Sequence, residues 1–276
     1  MSLHYSVNPD WLDRPIDIWL IGVGGNGSEM LDILARMHAA LKVVGHPHGF
    51  RLTAWDGDTV SPSNIVRQRF WHTDIGENKA LVSVQRLNLF LGLGWDALPV
   101  PFDPERQGYH LPDIIISCVD SAKMRVEIAR YYAESESSPW PGNELLWLDL
   151  GNGESTAQMI LGHLSTAERN TIRLPHVYDL HPELADIDDH DAPSCSAEES
   201  LAQQTFGVNK TVAVSAGNLL WSLLTQPSVS YHGAYLNSRD NTTQPIRIDP
   251  SFWESIGYKH YRCRLNDETI LEGNKQ

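Results

Sequence analysis

A chain of 276 residues, 41% hydrophobic and 20% charged, has the makings of one large domain, or of one domain with an elaborate extension. Its formal net charge of −14 argues against nucleic-acid binding through phosphate contacts, which needs a basic stripe. That charge serves solubility, or steers a basic partner protein to an acidic face. Three cysteines (Cys118, Cys195, Cys263) with no CxxC pair among them suit a reduced, cytoplasmic protein. The opening residues MSLHYSVNPDW lack the basic and apolar regions of a signal peptide. No apolar run approaches the roughly eighteen residues of a membrane span.

Residues 16–23 (IDIWLIGV) form a nearly continuous apolar run ending in glycine, as a buried parallel strand should. In residues 28–44, Met30, Leu31, Leu34, Met37, Leu41 and Val44 recur at three- and four-residue spacing, which predicts a helix packed back on the sheet. Residues 50–55 (FRLTAW) read as the second strand, and residues 79–91 as a second helix with Val82, Leu87 and Phe90 among its apolar positions. A weak strand follows at 98–100 and a strong one at 113–119 (DIIISCV). Then come a helix at 124–132, a buried strand at 145–150 (LLWLDL) and a mixed strand at 156–164. Strands alternating with helices imply right-handed crossovers, and so an α/β fold with a Rossmann-like, doubly wound, mostly parallel sheet.

The pattern changes after residue 164. Residues 165–204 are polar and strongly acidic around 186–191 (DIDDHD), and so long an aperiodic stretch reads as a functional crossover loop. An apolar helix covers 208–224. The last fifty residues read as short strands and turns (GAYLN, PIRID, YKHYRC) that suggest no chemistry. Three parts are expected: a nucleotide-binding part over 1–164, the acidic crossover loop over 165–207, and a helix with strands over 208–276 that completes the domain.

The glycine-rich turn, residues 22–27 (GVGGNG), lets backbone approach phosphates at a helix N-terminus. Asp56 follows the second strand, where a carboxylate accepts hydrogen bonds from ribose hydroxyls of either NAD or ATP. Arg67 and Lys79, with Asn64 as a neutral donor, suit a triphosphate and have no use in hydride transfer. Asp120, at the carboxyl end of an apolar strand, suits Mg²⁺, or else caps the next helix.

Taken in order, these motifs resemble the ThiF/MoeB/E1-like superfamily of ATP-dependent activating enzymes. Its GxGGxG turn stands here as Gly22, Gly24, Gly25 and Gly27. Its DxDxVxxSNxxRQ segment stands as Asp56, Asp58, Val60, Ser63, Asn64, Arg67 and Gln68. A DxGxxK step ends at Lys79, and Asp120 precedes Arg125. The likeness covers about residues 15–164, and Pro193, Ser194 and Cys195 followed by Val208 and Asn209 look most like the PRTRC-system ThiF branch. The resemblance implies adenylation of the C-terminal carboxylate of a small ubiquitin-like (β-grasp) protein. By the same resemblance the four glycines, Asp56, Asp58, Asn64, Arg67, Gln68 and Lys79 bind ATP, with Arg67, Lys79 and Asp120 acting in catalysis and Asp120 holding Mg²⁺. It also implies a homodimer and an E2-like acceptor. Some relatives carry an N-terminal arginine that reaches a partner's site; only about fifteen residues precede the first strand here, and Arg14 is the sole candidate. The paired CxxC motifs of zinc-binding relatives are missing, so no structural zinc is expected.

Cys195, in the crossover loop, is either the thiol that takes the acyl group from the adenylate or an incidental cysteine; Cys118 reads as core. A metal site from His176, His181, His190 and Cys195 fits no ligand spacing. Two readings of other classes compete: an NAD-dependent oxidoreductase, resting on the glycine turn and Asp56 alone, and a catalytically inactive scaffold. A scaffold has no reason to keep Arg67, Lys79 and Asp120 together.

Overall fold

Six buried residues in succession make β1 (Ile16–Ile21) a strand covered on both faces. In the computed structural model, which describes residues 3–108, 110–133, 144–165, 172–188 and 205–259, it is the third strand of an eight-stranded sheet. It pairs in parallel with β2 (Phe50–Trp55) on one side and β4 (Ile114–Ser117) on the other. The short β3 (Asp96–Leu98) extends β2, and β5 (Leu145–Asn152) extends β4, both in parallel. From β5 the sheet continues antiparallel through β6 (Thr156–Ser165), β7 (Tyr231–Asn237) and β8 (Thr242–Arg247), giving the order 3-2-1-4-5-6-7-8. The chain runs outward from β1 to β3 and then returns across β1 to begin β4. The strand order reverses between β1 and β4, and the crevice at their carboxyl ends is where ligands bind in such sheets.

Alternation along β1 separates two cores. Ile18 and Leu20 belong to the larger one, with helix α1 (Gly25–Val43) and the apolar helix spanning Val208–Thr225 packed over it. Trp19 and Ile21 face the smaller one, shared with Trp55, Phe102 and Trp147 and covered by Ile128 and Ala129 of a helix spanning Ala122–Tyr132. In chain order, α2 is Lys79–Leu91, α3 is Ala122–Tyr132, α4 is Val177–Leu180, α5 is Val208–Thr225 and α6 is Pro250–Ser255.

The expected strands and helices up to residue 247 are present with shifted ends; α6 is a helix where the sequence suggests strands and turns, and residues 260–263 of the expected YKHYRC strand lie outside the described residues. The first helix starts at Gly25, not Ser28, so the glycine turn is itself the helix N-terminus. The weak strand lies at 96–98, not 98–100. Val44 and Phe90, expected among packed positions, are exposed, Phe90 at 74%, because α2 buries Ala80, Ser83 and Val84 instead. Residues 165–204 are not one aperiodic loop. Ile172, Leu174 and Val177 are buried, and α4 with a 3-10 turn over Pro182–Asp186 packs beside α3.

Three histidines in this second half are sealed from water. His163 on β6 accepts from Leu174 N–H and lies 3.5 Å from Glu144; His176 caps α4; His232 on β7 bonds the Leu161 carbonyl. Burial lowers all three pKa values, that of His232 to about 4. They are neutral in the fold, whereas the unfolded chain protonates them below about 6.5. Stability is therefore full above that value and declines as pH falls towards 4, by up to about 3 kcal/mol for His232. Urea midpoints are expected to drop between pH 7 and pH 5, less steeply in His232→Gln. A flat profile in the wild type would show that these rings are already charged in the native state.

Candidate active site

At the crevice, β1 runs into Gly22, whose φ of +86° sends the chain into α1. Its N–H donates to the Trp55 carbonyl (2.9 Å), tying the turn to β2. A methyl group on Gly25 would stand 2.6 Å from the Asn209 amide, and one on Gly27 would overlap the Gly22 carbonyl oxygen. No side chain caps α1 at Gly24, so the first N–H groups of a nineteen-residue helix open onto the crevice, as an anion requires.

The turn floors a cavity of about 1030 Å³, whose walls come from both halves of the sheet. Asp56 follows β2, and its two oxygens accept from Val23 N–H (2.6 Å) and Asp58 N–H (2.8 Å). Burial pushes its carboxyl above the ordinary range, and the two N–H bonds oppose that shift. Asn78 caps α2 and donates to the Asp56 and Asp58 carbonyls, which fixes this loop on the helix start. Lys79 then reaches back to Asp58 (2.8 Å); the lysine side chain is 10% exposed and its carboxylate partner 73%.

Arg67 and Gln68 are presented by a 3-10 turn over Pro62–Val66, closed by reciprocal bonds between Ser61 and Asn64. Both line the cavity, and the buried Gln68 Oε1 has no hydrogen-bond partner among the described residues. Across the crevice Asp120 ends the β4 segment, exposed and facing the same cavity. Ser121, not Asp120, caps α3 through Met124 N–H (3.0 Å), so Asp120 is not spent on the helix. Behind it the buried Arg125 donates to Asp149 (2.8 Å) and to the Val119 carbonyl (2.7 Å), clamping the end of β4.

Gly22, Gly24, Gly25, Asp56, Asp58, Arg67, Gln68, Lys79 and Asp120 thus line one cavity. Gly27 shapes the turn beneath them, and Asn64 is set back, shaping the loop that carries Arg67. Cys195 and His190 lie outside the described residues. Cys118 is buried, and burial raises its thiol pKa far above the usual range, which makes it inert. Arg14 forms a paired bridge to Asp113 (2.6 and 2.5 Å) at the amino end of β4, the end of the sheet away from the cavity.

Several lining residues escaped sequence reasoning. Asn26 stands inside the glycine motif and Asn152 in a Gly-Asn-Gly step at the end of β5, both signals visible in the sequence. Tyr235 and Gln244 sit on strands with no motif. The cradle left by the glycines, an acceptor carboxylate and two cations fit a nucleoside triphosphate. Among the described residues no three His, Cys, Asp or Glu side chains gather to hold a metal. One carboxylate, Asp120, still fits Mg²⁺, which keeps most of its water and phosphate ligands.

The model of the ThiF family matches residues 14–239. Among solved structures, MccB of E. coli, determined with ATP, is 15% identical with a TM-score of 0.58, over 88% of this chain and 67% of that one. The microcin C7 biosynthetic enzyme MccB in complex with N-formylated MccA gives 17% and 0.59, over 87% and 66%. Selenomethionine PaaA gives 15% and 0.55, over 84% and 64%. The chain thus spans about two thirds of the length of these proteins, and at such identities they share its fold. No curated protein matches it. A family match over residues 14–239, on a fold that assembles the family's motifs in one crevice, makes the conclusion direct: the chain belongs to the ThiF family.

Proposed function

We propose that this protein binds ATP in the crevice and adenylates the C-terminal carboxylate of a polypeptide. The observation that carries this reading is the convergence of Asp56, Arg67, Lys79 and Asp120, from four separate segments, on one cavity at the foot of the glycine turn. A substrate carboxylate oxygen attacks the α-phosphorus, the bond to the bridging oxygen breaks, and pyrophosphate leaves with that electron pair. Asp56 holds the ribose, α1 presents N–H groups to phosphate, and Arg67 and Lys79 face charge that grows on the phosphate oxygens. Bound Mg²⁺, held by Asp120, would neutralise phosphate charge.

The specific form of the reading takes a small β-grasp protein as substrate, with Cys195 receiving the acyl group as a thioester while AMP departs, and an E2-like acceptor after it. The PRTRC-like sequence around Cys195, a cytoplasmic setting and a homodimer belong to the same reading. The half-exposed Trp71, stacked on Arg86 at 4.0 Å, is a surface suited to such a dimer.

Calorimetric titration tests the nucleotide. ATP with Mg²⁺ is expected to bind, NAD(H) is not, and Arg67→Ala should weaken ATP binding about tenfold or more, the loss of a charge-assisted contact. NAD(H) binding without an ATP signal would sink the adenylation reading in favour of the oxidoreductase one.

A further inference from the structure

Helices α1 and α5 begin side by side at the crevice. A methyl group on Gly25 would meet the Asn209 amide, and one on Gly217 would stand 2.6 Å from Ile33 Cγ2. The contacts are equally spaced along both helices, from 25 to 33 and from 209 to 217, so the pair runs parallel and in step. The bare Gly217 lets the helices close on each other, and its seat on Ile33 decides which residue of α5 reaches the cavity. That residue is Asn209, which lines it and is only 7% exposed.

Asn209 lies across the glycine turn. A carbon added to Gly25 would stand 2.6, 2.7 and 2.8 Å from its Nδ2, Cγ and Oδ1, and three near-equal distances mean that the amide lies flat on the glycine. An asparagine in a first helical turn commonly bonds backbone close to it in the chain. Here no side chain caps α5, and Asn209 Nδ2 donates to the Arg67 carbonyl (3.4 Å). Two residues on, Arg69 N–H donates to Ser28 Oγ (3.2 Å) and the Arg69 guanidinium pairs with Asp32 (3.0 Å), both on α1. On the other side, Arg67 N–H donates to the Asn64 carbonyl (3.3 Å). The stretch that carries Arg67 is therefore strung between the two helices, held by α1 at Arg69 and by α5 at Arg67 itself.

We infer that Asn209 is a positioning residue: seated on Gly25, it places the Arg67 peptide so that the guanidinium meets the triphosphate. The inference rests on the ATP-binding part of the proposed function and names the residue that sets its cation. A neutral bond of 3.4 Å adds little to stability. Placement is another matter, because a cation that faces growing phosphate charge acts only in a fixed geometry, and small misplacements are costly. Glycine at 25 serves the same end, since a side chain there would push the amide off the Arg67 carbonyl. A neutral amide also suits a place beside phosphates. A carboxylate of the same shape would repel them and has no proton to donate to the carbonyl.

The test is a double-mutant cycle on the full chain, with wild type, Asn209→Ala, Arg67→Ala and the variant carrying both. Calorimetry reads the affinity for ATP with Mg²⁺ and for adenosine, which has the base and ribose but no phosphate. Asn209→Ala is expected to weaken ATP binding by about threefold or more and to leave adenosine binding unaltered. With Arg67 already alanine, removing Asn209 should change ATP affinity by about twofold at most, because nothing is left to place. Gly25→Ala displaces the amide by another route and should weaken ATP binding in the presence of Arg67 alone. Urea midpoints show whether each variant is folded, and if Asn209→Ala is not, Gly25→Ala takes its place in the cycle. Equal losses with and without Arg67, an equal loss for adenosine, or ATP binding at the wild-type level in the variant tested overturns the inference. Failure of the wild-type protein to bind ATP overturns the adenylation reading instead.

Discussion

Replacing Gly27 by alanine is expected to destabilise the fold by about 3 kcal/mol or more, the upper range for forcing a methyl group into filled space. Helix propensity points the other way, since alanine is favoured over glycine by about 1 kcal/mol inside a helix. The clash decides the sign, because the added carbon would overlap the Gly22 carbonyl oxygen, and backbone cannot swing aside. Gly22 in turn is tied to Trp55 and lies against the Cys118 carbonyl, so any shift spreads into β2 and β4. Gly25→Ala is the instructive contrast. Its methyl group meets only the Asn209 side chain, which can yield by giving up one long bond to the Arg67 carbonyl (3.4 Å), so its cost should stay below about 1.5 kcal/mol. Urea unfolding of the two variants measures the difference. A Gly27→Ala protein as stable as wild type would show that the turn does not close on itself.

That asymmetry between neighbouring glycines was not legible in the sequence, where they read as equivalent members of one motif. The parallel half of the sheet was legible, because strands buried on both faces leave long apolar runs such as residues 16–21 and 145–150. So were the residues that meet in the crevice, because Asp56, Lys79 and Asp120 each stand at an element end, where the fold gathers them. Asn64 and Arg67 were read as one kind of contact. Only the structure separates them, since Asn64 turns inward to bond Ser61 while Arg67 lines the cavity. The antiparallel half was the least legible. Tyr235 and Gln244 belong to short strands of mixed polarity, and they reach the site through cross-strand register, which no local spacing encodes. Residues 165–188 misled for a related reason. The buried Ile172, Leu174 and Val177 pack on elements distant in sequence, so no period marks them.

Asp120→Ala is expected to lower the rate of pyrophosphate–ATP exchange by about 10²–10³, the loss typical of a single group that acts in the transition state. ATP binding should survive in weakened form, because Asp56, the glycine turn, Arg67 and Lys79 all remain. Stability should barely change. Asp120 is exposed, and the cap of α3 is Ser121, so removing the carboxylate leaves no helix end unsatisfied. Its backbone stays in place as well, since Arg125 bonds the Val119 carbonyl just before it and Asp149 anchors that arginine. A fall in rate without a fall in urea midpoint therefore isolates the chemical role from a structural one. Ser121→Ala should show the converse pattern, a stability lowered by about 1 kcal/mol and read as a lower urea midpoint, with the exchange rate largely kept. If Asp120→Ala exchanges pyrophosphate at the wild-type rate, the carboxylate plays no part in the reaction, and the metal-binding role assigned to it falls.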